Sequence, residues 1–256
     1  MRARSFRGLA AAAVALAVIL PGTVQPARAN PDGTNSSLIE FVDLAVDLMG
    51  RIGGGGLTPE AVIGMTQDII NALDQAESAV IAHIDGIAAA DLRGDARHHV
   101  LEFADINNFE VDTLEDWAQS VSGAASDAYE YLDAVADPRA VDDIGYAAIT
   151  LYTLAAVARV RAGFGTTRLM QDYRGALQEI ITRLAPRCRY HFPEPGAGPL
   201  IRAYTCDVYG NHTATQLEQY HLGVWQLGPI DPAAVEAASY ANTSRRVAIE
   251  VLPTLP

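Results

Sequence analysis

The chain has 256 residues, half of them hydrophobic, and a formal net charge of −13 from 31 acids and 18 basic residues, every one of them arginine. That length suffices for one sizeable core. The acidic balance excludes a nucleic-acid partner, because neutralising phosphates requires a basic surface.

Residues 1–29 read as an export signal. Arg2, Arg4 and Arg7 precede an unbroken apolar run over residues 9–20, Pro21 and Gly22 break it, and Ala27 and Ala29 supply the small residues of a cleavage site. The run has 12 residues, fewer than the roughly 20 that span a bilayer. The expected product is a single secreted domain, residues 30–256, exported through the general secretion route and folded outside the cytoplasm. Without the signal, 14 arginines face 31 acids, a net charge of −17. Residues 30–143 hold 23 acids and 4 arginines, while residues 144–256 hold 8 acids and 10 arginines. The arginines between Arg159 and Arg202 are therefore expected to meet the acidic N-terminal helices inside the fold.

Helical periodicity governs residues 37–184. Residues 37–50 place Leu38, Phe41, Ala45, Leu48 and Met49 on one face. Gly53 to Gly56 follow a helix and lack a Gly-Lys-Ser/Thr continuation, so they read as an inter-helix connection rather than a phosphate loop. Thr58-Pro59-Glu60 is a helix start. From it a stripe of Val62, Met65, Ile69, Leu73, Ala76, Val80, Ile84 and Ile87 advances by three or four residues. The stripe is expected to continue through Val100, Phe103 and Ile106, with Gly94 as the kink or break. Residues 113–136 form the next helix. Residues 138–184, the most hydrophobic segment, are interrupted near Gly163-Phe164-Gly165, with Thr166 or Thr167 as a cap. Stripes of this length must be buried against each other, which predicts a mainly α fold, an antiparallel helical bundle.

After Pro186 the pattern changes. Residues 187–191 and 200–209 are short β-like runs with one cysteine each, and in an oxidising compartment Cys188 and Cys206 pair as a structural disulfide. This gives a small disulfide-clipped β-hairpin or irregular C-terminal appendage over residues 185–256. Residues 213–222 and 232–241 read as weakly helical, and the tail carrying Pro253 and Pro256 as disordered. After the signal, residues 144–158 form the longest uncharged apolar stretch. It is shorter than a membrane span and fits a buried core helix, so no stable transmembrane span is expected.

Three groups of residues could carry chemistry. On a helix, Asp95, His98 or His99, Glu102 and Asp105 fall three or four apart. Together with Glu218 and His221, which stand in a Glu-x-x-His spacing, they are candidate metal ligands of a bundle di-metal type. A solvated polar face with local ion pairs is the simpler reading, and no metal or other cofactor is expected. His83, beside the apolar stripe, reads as a partly buried, hydrogen-bonded histidine. Tyr190, Phe192, Tyr204, Tyr209, Tyr220, Trp225 and Tyr240 crowd the C-terminal part and would form either packing onto the bundle or a binding surface. No Gly-x-Ser-x-Gly turn is present, and no catalytic residue is assigned.

The segments 82–90 (AHIDGIAAA) and 99–106 (HVLEFADI) resemble uncharacterised secreted helical proteins of actinobacterial type. The resemblance implies an exported helical protein and transfers no functional residue. The leading expectation is a binding protein for an extracellular ligand or protein, with the appendage as contact region. A membrane-active helical bundle is the first alternative. A metal-dependent enzyme using the His98/His99 region is the second.

Overall fold

The computed structural model describes residues 33–53, 57–192, 200–221 and 223–256. The export signal with Ala27 and Ala29, and glycines 54–56, lie outside the described residues.

Among the described residues the chain is mainly α, with a small antiparallel sheet near the C-terminus. α1 (Gly33–Gly53) and α2 (Pro59–Gly86) come first, and the start of α2 follows from its sequence. The Thr58 side chain accepts from the Ala61 amide at 3.3 Å, and Pro59, which has no amide hydrogen to leave unpaired, occupies the first turn. Thr66, Ile69, Ile70, Leu73, Ala76, Val80 and Ile84 carry its buried face.

The break before α3 (Ala90–Glu102) falls at Ile87, not at Gly94. Ile87 adopts extended backbone with its side chain buried, and the Arg93 guanidinium donates to the freed Ile87 carbonyl at 2.7 Å. Gly94 sits inside α3, where tertiary packing outweighs its low helix propensity. A 3-10 segment (Phe103–Asn108) leads to α4 (Val111–Ala134).

α5 (Pro138–Arg161) is the axis of the molecule. Every residue from Val141 to Ala158 is buried, so this helix is enclosed on all sides. Asp137 caps its N-terminus through the Arg139 amide. α1, α2, α3, α4, α6 (Thr167–Arg183) and α8 (Ser244–Val251) all contact it. α5 is also long and apolar enough to cross a membrane by length and composition, yet 94% of that stretch is buried within the protein. A core helix accounts for it.

α6 starts at Thr167, but the Thr166 hydroxyl makes no capping bond. The turn is held instead by Arg159, whose Nε donates to the Gly165 carbonyl at 2.9 Å and whose guanidinium lies over the Phe164 ring. Arginines do the same elsewhere. Arg183 donates to the carbonyls of Leu132, Asp133 and Val135, closing the end of α4, where helix carbonyls lack intrahelical partners. The ion pairs of Arg183, Arg189 and Arg202 run to Glu179, Asp207 and Glu218. Those charge pairs lie within the C-terminal half, while Arg159, Arg161 and Arg183 meet the N-terminal helices as expected, but through neutral acceptors: the Ser122 hydroxyl, the Asn107 side chain and the carbonyls at the end of α4.

The appendage is a four-stranded antiparallel sheet of sequential strands β1 (Arg187–His191), β2 (Leu200–Asp207), β3 (Thr213–His221) and β4 (Val224–Leu227). Cys188 and Cys206 are direct cross-strand partners and form the disulfide. β3 replaces the expected helix. Its side facing α7 (Pro232–Ser239) carries Ala214, Gln216 and Glu218, and the two polar side chains accept the amides of Asp231 and Ile230 that lead into α7. These contacts demand polar residues where alternation would have shown apolar ones. The C-terminus is likewise docked: Leu255 is buried, and Arg174 donates to the carbonyls of Leu255 and Pro256. The expectation of a disordered tail is corrected.

Candidate functional site

A cluster of polar side chains lies where α2, α5, α8 and the β2–β3 turn converge. Adjacent acids at the start of α5 point to different partners. Asp142, 0% exposed, accepts from the Ser244 amide at 2.6 Å, from the Ser244 hydroxyl at 2.7 Å and from the Tyr209 hydroxyl. Asp143 accepts from His83 Nδ1 at 2.8 Å. The His83 ring stacks on Tyr146 at 3.9 Å. Tyr146 in turn donates to Asn35 Oδ1 at 2.7 Å, and Asn35 Nδ2 donates to the Ala241 carbonyl at 2.8 Å.

Two glycines make this convergence possible. A Cβ on Gly86 would meet Asp143 Oδ2 at 2.6 Å, and one on Gly145 would meet Ser244 Oγ at 2.5 Å. Burial pushes the Asp142 carboxyl above the ordinary carboxylate range, with its three hydrogen bonds and the charge of His83 opposing. The Tyr209 hydroxyl is pushed up by burial and by the neighbouring Asp142 charge.

Above this network is a cleft of about 420 Å³, lined by His83, Gly86, Arg139, Asp143, Tyr209 and His212 among others. Imidazole, guanidinium, carboxylate and backbone groups converge there from three elements. Among the described residues no hydrogen bond engages His83 Nε2. A cleft of this size with a few fixed polar groups can orient a small polar molecule. A histidine oriented by a carboxylate can also move a proton.

The residues singled out in the sequence are placed as follows. His98 and Glu102 form an exposed i,i+4 pair at 3.2 Å, and His99, 3% exposed, lies beside them against the edge of Trp117. Asp95 and Asp105 are exposed. Burial, then His98, pull the His99 imidazole below the ordinary histidine range, against Glu102 and Asp95. Glu218 is not part of this group: it is buried on β3, bound to Arg202 and to the Ile230 amide. His221 ends β3, and its side chain lies outside the described residues, as do those of Tyr220 and Trp225.

Of the C-terminal aromatics, Tyr190 and Phe192 are exposed, at 49% and 59%. Tyr190 packs beside Tyr204 with Arg202 over its ring. Tyr204 joins the small core beneath α7, Tyr209 is tied to Asp142, and Tyr240 lies under Arg245. Packing and exposure thus divide the group.

The sequence reading reached His83 but missed Asn35, Asp142, Asp143, Tyr146 and Ser244. One signal was available: two adjacent acids, Asp142 and Asp143, open a helix that is otherwise apolar. Comparison of the chain with protein-family models, with curated proteins and with solved structures found no match in any of the three.

Proposed function

We propose that this is an exported binding protein that takes a small polar ligand in the cleft between the bundle and its appendage. The observation that carries the reading is the convergence of His83, Arg139, Asp143 and His212 on one cleft of about 420 Å³. Beneath it, the bonds of Asp142 to Tyr209 and Ser244 hold the walls in place before any ligand arrives. Such preorganisation lowers the ordering cost of binding. Export is supported by the charged start and apolar run of residues 1–29 and by the disulfide, which suits an oxidising compartment. The exposed Tyr190 and Phe192 leave the appendage a second contact surface on the same binding reading.

The test is an NMR titration of isotopically labelled residues 30–256 with inorganic phosphate, malonate, glycine and glucose as probes. The reading expects at least one probe to move the ring resonances of His83 and His212, and Arg139→Ala to weaken that probe by about tenfold. Probe binding that shifts other residues and leaves both rings still would overturn it, as would silence from all four.

A further inference from the structure

A second site lies on α3, away from the cleft. One ring nitrogen each of His98 and His99 and one carboxylate oxygen of Glu102 lie within 4.8 Å of one another. The Ser120 hydroxyl on α4 lies 3.4 Å from His99 Nε2. The donor in that contact depends on the histidine tautomer; in the tautomer that a metal at Nδ1 requires, Nε2–H donates to the Ser120 hydroxyl and Nδ1 carries the lone pair. That Nδ1 is buried and has no hydrogen-bond partner, an uncommon condition for a buried polar atom. We propose that His98, His99 and Glu102 bind a zinc-class divalent transition metal, with His99 Nδ1, one ring nitrogen of His98 and one Glu102 oxygen as ligands and Ser120 orienting His99.

The donor set is two imidazoles and one carboxylate, the chemistry that zinc and its neighbours prefer over calcium or magnesium. Metal–nitrogen and metal–oxygen bonds of about 2.0–2.2 Å require the ligand atoms to draw closer than 4.8 Å. The side chains of His98 and Glu102, 57% and 41% exposed, are free to make that adjustment around the fixed His99. Three protein ligands leave further coordination positions for water or a ligand.

The experiment is isothermal titration of zinc chloride into the tag-free secreted chain, repeated with cobalt(II) read by its visible d–d absorption. The expected result is one saturable site per chain. His98→Ala and Glu102→Gln should each weaken it by at least the roughly tenfold that outer-shell changes cause, and Ser120→Ala by about tenfold. All three lie where folding is little disturbed, and His212→Ala, in the cleft, should leave the metal site unchanged. Absence of a saturable site, or a site that survives His98→Ala and Glu102→Gln, would overturn the proposal. Neither result bears on the cleft.

Discussion

The bundle and the sheet are stabilised by different means. Around α5 the bundle buries leucine, isoleucine, valine, alanine and tyrosine from six helices. Among the described residues the sheet and α7 share a core of Cys206, Ala214 and Val235, with Cys188, Tyr204 and Ala238 at its margin. Beside that core, the sheet is held by a disulfide, by the Arg202–Glu218 pair and by backbone amides bonded to Gln216 and Glu218. Burial at about 25 cal/mol per Å² is diffuse and tolerant, whereas each polar or covalent link is a single point of failure. Between the two regions lies Asp142, which serves the bundle through Ser244 and the appendage through Tyr209.

The largest test of this contrast is Asp142→Ala. It strands the Tyr209 hydroxyl and both Ser244 donors, and should cost about 3–5 kcal/mol in denaturant unfolding. Next, reducing Cys188–Cys206 should remove about 3 kcal/mol from the appendage. Hydrogen exchange would then rise in β1 and β2 and stay slow in α5; an equal rise in both would erase the distinction. Gly86→Ala drives a methyl against Asp143 and should cost about 1–3 kcal/mol while disturbing the His83 ring resonances. Thr58→Ala removes a helix cap and should cost about 1 kcal/mol, with no effect on the cleft.

Asp142 also makes a pH prediction. Its folded carboxyl titrates above its unfolded value because of burial. Its contribution is therefore fully present below the unfolded value of about 3.9 and is lost as pH rises through the raised folded value. The stability difference between the wild type and Asp142→Asn should shrink over that rise. A difference that grows with pH would show that the three hydrogen bonds outweigh desolvation.

Much of the bundle was legible because its signals are local. Thr58-Pro59 and Asp137-Pro138 start helices where their chemistry says they should, and the stripe from Ile69 to Ile84 is buried as its spacing implies. The cysteine pair was readable from redox chemistry. β3 was not, because Gln216 and Glu218 serve α7 rather than a sheet core. α8 was missed because Val247, Ala248 and Val251 are too short a stripe to stand out. The cleft was least legible of all. Asn35 and Tyr146 are 111 residues apart, and Asp142 and Ser244 are 102 apart, so their meeting exists only once α5 is enclosed.

The most direct measurement of the polar seam is native-state hydrogen exchange of Tyr209→Phe against the wild type. The variant keeps the ring and deletes only the hydroxyl that bonds Asp142. Exchange in β2 and β3 should accelerate about tenfold or more, the equivalent of roughly 1.4 kcal/mol, while α5 stays protected. Unchanged exchange in β2 and β3, or an equal loss in α5, would contradict an appendage held to the bundle through Asp142.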